Sequence, residues 1–219
     1  MISPKLYKSS RTYDFFMKFL GYESGIDRFL RGLNLQCPDD CRILDVGCGT
    51  GLVGLHFLER FPDSTLQATD LEPNFLQATL ANAGKRRLDQ RRISVGVSNV
   101  SSPQNLTALD GTPSTLTDNS FHLVCLGAVV GYADNTEDSI RKLLQLLVPG
   151  GYLINLEMNE SPTGRFVSRR YHYRNIPLQR MQDVISDAGC EVSVTKLRLT
   201  HLPAKFTRTA IIARKPAAE

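Results

Sequence analysis

The sequence predicts an α/β fold in which a mostly parallel sheet carries helices on both faces. Three observations support this. Short apolar runs alternate with stretches of helical spacing from residue 42 to residue 157, the pattern of repeated strand–helix–strand units. A glycine-rich turn, Gly47-Cys48-Gly49-Thr50-Gly51, joins the first apolar run to the first helical one. The chain has 219 residues, 42% of them apolar and 22% charged, which suits one domain with a substantial core.

The elements follow in order. Residues 11–33 have helical spacing (Phe15, Phe16, Phe19, Leu20, then Ile26, Phe29, Leu30, Leu33) broken at Gly21, which predicts two short helices over one end of the sheet. Strands are expected near 42–46, 65–69, 92–97, 121–127 and 151–157, with helices at 51–61, 73–84 and 137–147 between them. A further helix, 177–188, carries Leu178, Met181, Val184 and Ile185 on one face and stops at Gly189, a natural C-cap. Two β-rich runs close the chain, Val192–Leu199 and Thr207–Ala213, joined by His201-Leu202-Pro203-Ala204.

Two stretches depart from the alternation. Residues 99–120 are polar and hold Pro103 and Pro113, an unusually long connection for a compact domain. Residues 164–174 interleave arginines with Phe166, Tyr171 and Tyr173. This second stretch has three readings: a lid that grips an anionic acceptor, a nucleic-acid contact strip aided by Lys85-Arg86-Arg87 and Arg91-Arg92, or a solvated loop.

Composition narrows the function classes. A net charge of +4 permits contact with nucleic acid without predicting it. Met-Ile-Ser-Pro-Lys lacks the apolar core of a signal peptide, and no stretch approaches the length of a membrane span. The five cysteines are scattered, and Cys37-x-x-x-Cys41 has no second pair to complete a zinc site. A cytoplasmic protein with reduced thiols and no metal is the expectation.

The ligand is read from Ile43-Leu44-Asp45-Val46-Gly47-Cys48-Gly49-Thr50-Gly51, a buried strand ending in a carboxylate and then a turn bare of side chains. Gly49-Thr50-Gly51-Leu52-Val53-Gly54 fits the dinucleotide fingerprint, with Asp70 about 20 residues on. Asp45 argues against a dinucleotide, because a carboxylate beside a pyrophosphate repels it. The same carboxylate suits a ligand with a sulfonium and an α-amino group. Asp70, at the end of the next apolar strand, is placed to accept from both hydroxyls of a ribose. A ribose, positive charge and no phosphate describe S-adenosylmethionine.

At these residues the chain resembles the class I S-adenosylmethionine-dependent methyltransferases, in particular the small-molecule "type 11" branch related to ubiquinone-biosynthesis enzymes. The resemblance runs through Leu44–Gly51, Thr69–Leu76, Phe121–Val124 and Leu146–Leu153, and spans roughly residues 40–155. It implies a Rossmann-like sheet of seven strands with a C-terminal antiparallel hairpin. It also implies one methyltransferase domain with an N-terminal helical cap (1–36), a cofactor-binding core (37–158) and an acceptor-side lid, last helix and hairpin (159–219). The expected cofactor-binding residues are Tyr13, Asp45, Gly47, Cys48, Gly49, Gly51, Asp70, Leu71, Asn99 and Gly127. Asn99 stands where the family often has an aspartate against the adenine amino group, and Gly127-Ala128-Val129 would line the methionine and methyl region. His122 likewise replaces a usual aspartate, far from the ligand end.

Methyl transfer is an in-line displacement in which the cofactor carries the reactivity and the protein aligns the acceptor. A base is optional. His172 is the candidate, in the arginine–aromatic segment, against the reading of a solvent-facing loop histidine. Tyr132 and Tyr171 are the other acceptor-side candidates, with Asp134 nearby; His56 and His201 read as structural. The Asn-Pro-Pro-Tyr signature of amino-group methylation is replaced by Gly131-Tyr132-Ala133-Asp134. The expectation is therefore an enzyme that methylates a small molecule and yields S-adenosylhomocysteine. The alternatives are a non-catalytic cofactor-binding partner and an RNA or protein methyltransferase.

Overall fold

A computed structural model describes residues 21–217. Tyr13 and the first expected N-terminal helix lie outside the described residues. The rest is a nine-stranded sheet between two helical layers. Strands β1 (Arg42–Val46), β2 (Thr65–Asp70), β3 (Ile93–Val97), β4 (Asn105–Thr107), β5 (Pro113–Thr115), β6 (Phe121–Leu126), β7 (Leu147–Met158), β8 (Glu191–Lys196) and β9 (Arg208–Arg214) lie in the order β5-β4-β3-β2-β1-β6-β7-β9-β8. The helices are α1 (Tyr22–Arg31), α2 (Leu52–Arg60), α3 (Pro73–Lys85), α4 (Thr136–Gln145), α5 (Pro162–Arg170) and α6 (Leu178–Asp187).

β3, β2, β1, β6 and β7 are parallel, and β9 and β8 close the sheet antiparallel, giving the seven strands expected. Two more come from the polar 99–120 stretch, whose short β4 and β5 pair antiparallel and extend the β3 edge. Their three-residue length and lack of apolar alternation left no strand signal in the sequence. β7 also begins four residues earlier than expected. Between the pairs Phe121–Leu147 and Leu123–Tyr152 the register slips, so the Pro149-Gly150-Gly151 turn sits in the strand as a bulge, with Gly150 at φ 79°.

The central strands are apolar throughout because both faces are buried. Ile43, Leu123, Cys125 and Ile154 face a core shared with α1, α2 and α3, including Leu30, Leu55, Phe57 and Leu58. Leu44, Val46, Val124, Leu126 and Leu153 face the opposite layer, with Leu143 and Leu144 of α4 and Met181, Val184 and Ile185 of α6.

The basic clusters are largely spent on the fold. Arg92 donates to the Ser64 carbonyl at 2.7 Å and to the Leu58 and Phe61 carbonyls at 2.7 and 3.1 Å, capping the end of α2. Arg86 pairs with Glu23 and Arg91 with Asp89. Arg92→Ala is therefore expected to destabilise the domain by about 2 kcal/mol, since charged hydrogen bonds to otherwise orphaned carbonyls are lost. Urea unfolding of the variant measures this.

Candidate active site

The strand order reverses between β1 and β6, because β2 and β3 continue on one side of β1 while β6 and β7 lie on the other. Ligands of open α/β sheets bind beyond the carboxyl ends of the strands at such a switch. Here the chain leaves β1 at Gly47 and β6 at Gly127, after Asp45 has paired with Cys125 and Val46 with Leu126.

Asp45 is 2% exposed. Its Oδ2 accepts from Gly54 N–H at 2.8 Å, and the Cys125 thiol donates to the same carboxylate. Burial outweighs these bonds and lifts its pKa to about 7. Among the described residues, no lysine or arginine forms an ion pair with it. A buried carboxylate so placed is stabilised by any cation that enters beside it.

Asp70 Oδ2 accepts from Gly49 N–H at 2.9 Å, while Oδ1 accepts from Glu72 N–H at 3.0 Å. The carboxylate thus pins the glycine turn to the end of β2, with Leu71 N–H as a third backbone donor to it. Burial raises its pKa too.

The turn is less bare toward a ligand than the sequence implied. A Cβ on Gly47, at φ 61°, would come within 2.4 Å of Val129 Cγ2, and one on Gly54 within 2.6 Å of Asp45 Oδ2. The room left by these missing side chains is filled by the protein itself. Gly127 is the exception, with nothing within 4 Å of its would-be Cβ.

A narrow cleft with a cavity volume of about 60 Å³ gathers Asp45, Gly47, Cys48, Gly49 and Gly127 from the expected set. It is completed by Glu23 and Ile26 of α1, Arg86 after α3, Leu156 of β7 and Arg208 of β9, none of which the sequence reading placed there. Glu23 and Arg86 join across it at 2.7 Å. Gly51, Asp70, Leu71 and Asn99 do not line this cleft. Gly51 caps α2 at φ 83°, Leu71 is 55% exposed, and the Asn99 Oδ1 accepts from Ser101 N–H at 2.9 Å.

The arginine–aromatic segment forms a helix, α5, with Arg165, Phe166, Arg169 and Arg170 exposed along it, followed by a turn. Ser161 caps α5, accepting from Gly164 N–H at 3.0 Å, and the chain then turns back through Tyr171 and His172. His172 is exposed, in left-handed conformation at φ 54°, as in the solvent-facing reading. The neighbouring Tyr173, named in the sequence only as one of the interleaved rings and not as a site candidate, points inward. Its hydroxyl donates to buried Glu157 at 2.5 Å, and its ring meets Tyr132 edge-on with centroids 5.1 Å apart. The Tyr132 hydroxyl donates to the Tyr171 carbonyl at 3.3 Å. Glu157 also accepts from Asn155 Nδ2 and Met158 N–H, yet burial keeps its pKa above the usual carboxylate range. Tyr173→Phe is expected to cost about 2 kcal/mol of stability, the worth of a buried hydrogen bond to a carboxylate, read by urea unfolding.

Comparison with known proteins settles the family. Residues 44–153, from the middle of β1 into β7, match the family described as "Methyltransferase domain". The chain belongs to that family. It carries a class I, S-adenosylmethionine-dependent methyltransferase domain. Over 170 residues it is 26% identical to a demethylmenaquinone methyltransferase of Thermus thermophilus, covering 75% of this chain and 70% of that protein. Over 66 residues it is 38% identical to a tRNA1(Val) (adenine(37)-N6)-methyltransferase of Vibrio parahaemolyticus. That match covers 28% of each, so the chain spans little more than a quarter of this relative's length. A structure described as a complex between the Haloferax volcanii Trm112 methyltransferase activator and the putative methyltransferase shares the fold, with TM-score 0.71, 13% identity and 99% of each chain covered.

The methyltransferase's cleft fits the family's cofactor on its own evidence. Buried Asp45 offers an anion to an α-amino group and a sulfonium, and Gly127 leaves open space beside it. No helix among the described residues is long and apolar enough to cross a membrane.

Proposed function

We propose that the protein transfers the methyl group of S-adenosylmethionine to a small-molecule acceptor in the cytoplasm. The observation that carries this reading is Asp45, a buried carboxylate beside a ligand cleft at the sheet's switch point. A cation relieves its burial and a pyrophosphate aggravates it.

In this reading Asp45 holds the cationic end of the cofactor, Asp70 the ribose, and the backbone at Gly47–Gly49 lies along its length. Bound there, the cofactor supplies an electrophilic methyl on a positively charged sulfur. The chain's own residues orient the acceptor and exclude water. Tyr132, Tyr171 and Tyr173 form the wall on the acceptor side, with Tyr173 held by Glu157 and Tyr132 joined to the Tyr173 ring and the Tyr171 carbonyl. His172 faces solvent and is not part of this wall.

A nucleic-acid acceptor is the second reading, favoured by the identity to the Vibrio enzyme. Against it, Arg86 and Arg92 of the basic clusters are engaged within the fold, although Arg165, Arg169 and Arg170 of α5 are exposed. Calorimetry with S-adenosylhomocysteine, then methyl-labelled cofactor offered to a small-molecule extract and to total RNA, tests both. Micromolar binding with label in small molecules supports the proposal. Label confined to RNA selects the second reading, and absence of binding rejects both.

A further inference from the structure

Positive charge is segregated in this chain. Residues 161–182 hold five arginines, and residues 196–208 hold two lysines and two arginines, with no aspartate or glutamate in either stretch. Those nine cations exceed the whole chain's net +4, so the rest of the sequence is net acidic. The fold brings the two stretches together. Asn159, just before the Ser161 cap of α5, donates from its backbone N–H to the Thr207 carbonyl at 2.9 Å and from its side chain to the Lys205 carbonyl at 3.2 Å.

The same two stretches expose large apolar side chains. Phe166 is 70% exposed, Leu199 68%, Phe206 52% and Leu202 40%, four of the seven such residues among those described. α5 shows how this arises. Its buried residues are the small Gly164 and Ser168, and a Cβ on Gly164 would come within 2.3 Å of the Asn159 carbonyl oxygen. The helix thus rests on its small side, and Pro162, Arg165, Phe166 and Arg169 stand outward around a shallow hollow that Glu160 also borders. Arg170 and Arg198 are exposed as well.

We propose that this face docks on an anionic lipid bilayer, with the four apolar side chains entering between headgroups and the exposed arginines pairing with lipid phosphates. Aromatic and leucine side chains beside arginines are what the bilayer interface accommodates, because the guanidinium stays at headgroup depth while the apolar part is buried. A nucleic acid matches the arginines and can stack on Phe166, but it offers Leu199 and Leu202 no apolar partner. A second copy seated on this face sets like charges against each other. α5 leads directly into Tyr171 and Tyr173 of the wall proposed above. The proposal is independent of the cofactor reading.

The test is co-sedimentation of the full chain with vesicles of phosphatidylcholine alone and with about a third phosphatidylglycerol. Binding is expected to the anionic vesicles, weakening as salt rises, with at least tenfold less on the neutral ones. The triple variant Arg165→Gln/Arg169→Gln/Arg170→Gln should bind anionic vesicles at least tenfold more weakly, and Phe166→Ser about fivefold. No binding to either vesicle overturns the proposal, and so does equal binding to both. Anionic binding that the triple variant and Phe166→Ser leave intact places the contact on another face and overturns it too. Total RNA shifted by the wild type, with no vesicle binding, marks a nucleic-acid surface instead. Self-association broken by Phe166→Ser, again without vesicle binding, marks an interface between copies, and either result overturns the proposal. The lipid and salt series uses the unaltered protein, so the test stands whether or not the variants fold.

Discussion

Asp45→Asn is expected to weaken S-adenosylmethionine binding by about 100-fold, because the cofactor's cation then enters a buried site without its counter-charge. Asparagine keeps an oxygen for Gly54 N–H, so the strand end and the first turn of α2 stay in place. The stability effect runs the other way. The folded pKa of Asp45, about 7, lies above its unfolded value near 3.8, so the folded protein binds the extra proton between those values. Stability from this group is therefore greatest in acid and falls as pH rises toward 7. Above that, ionised Asp45 costs the fold on the order of 4 kcal/mol that asparagine does not. The variant's melting temperature should equal or exceed that of wild type at pH 8, with the difference narrowing as pH falls through 7 and closing only near pH 4. A large fall in melting temperature at pH 8 would show that the carboxylate is structural.

Gly131→Ala is the second large effect. A Cβ at this position would sit 2.5 Å from both the Arg174 carbonyl oxygen and the Tyr173 ring. The backbone oxygen cannot yield cheaply, since Arg174 N–H also donates to the Gly131 carbonyl at 3.2 Å. The methyl must therefore push Tyr173 off Glu157 and away from Tyr132. Overpacking of this kind costs about 2–3 kcal/mol, measurable by urea unfolding. Because the damage falls on the wall proposed for the acceptor side, methyl transfer should drop at least tenfold while S-adenosylhomocysteine affinity holds. Equal loss of both would place Gly131 in the cofactor's own support.

The strand–helix alternation was legible because both faces of the central strands are buried and the helices keep one apolar stripe. Asp45, Gly47 and Gly127 could be read because a carboxylate and glycines at strand ends have few other uses. What the sequence hid was direction. Tyr171, His172 and Tyr173 are three consecutive polar-tipped rings, and only the fold shows that the third turns inward to Glu157. Arg208 opens a strand whose other residues read as ordinary core, and nothing local says that it borders a cleft. The glycines misled in a different way. Gly47 and Gly54 make room for Val129 and Asp45, contacts between parts of the chain that spacing cannot reveal.

The most direct test of the charge argument is calorimetric titration with S-adenosylmethionine at pH 6, 7 and 8, beside NAD⁺ under the same conditions. With Asp45 near pKa 7 and a cation binding its ionised form, affinity should fall about twofold from pH 8 to pH 7. It should then weaken up to about tenfold by pH 6 as the carboxylate takes up its proton, with no heat from NAD⁺. NAD⁺ binding in place of S-adenosylmethionine, or affinity for S-adenosylmethionine that holds or improves at pH 6, would contradict the account.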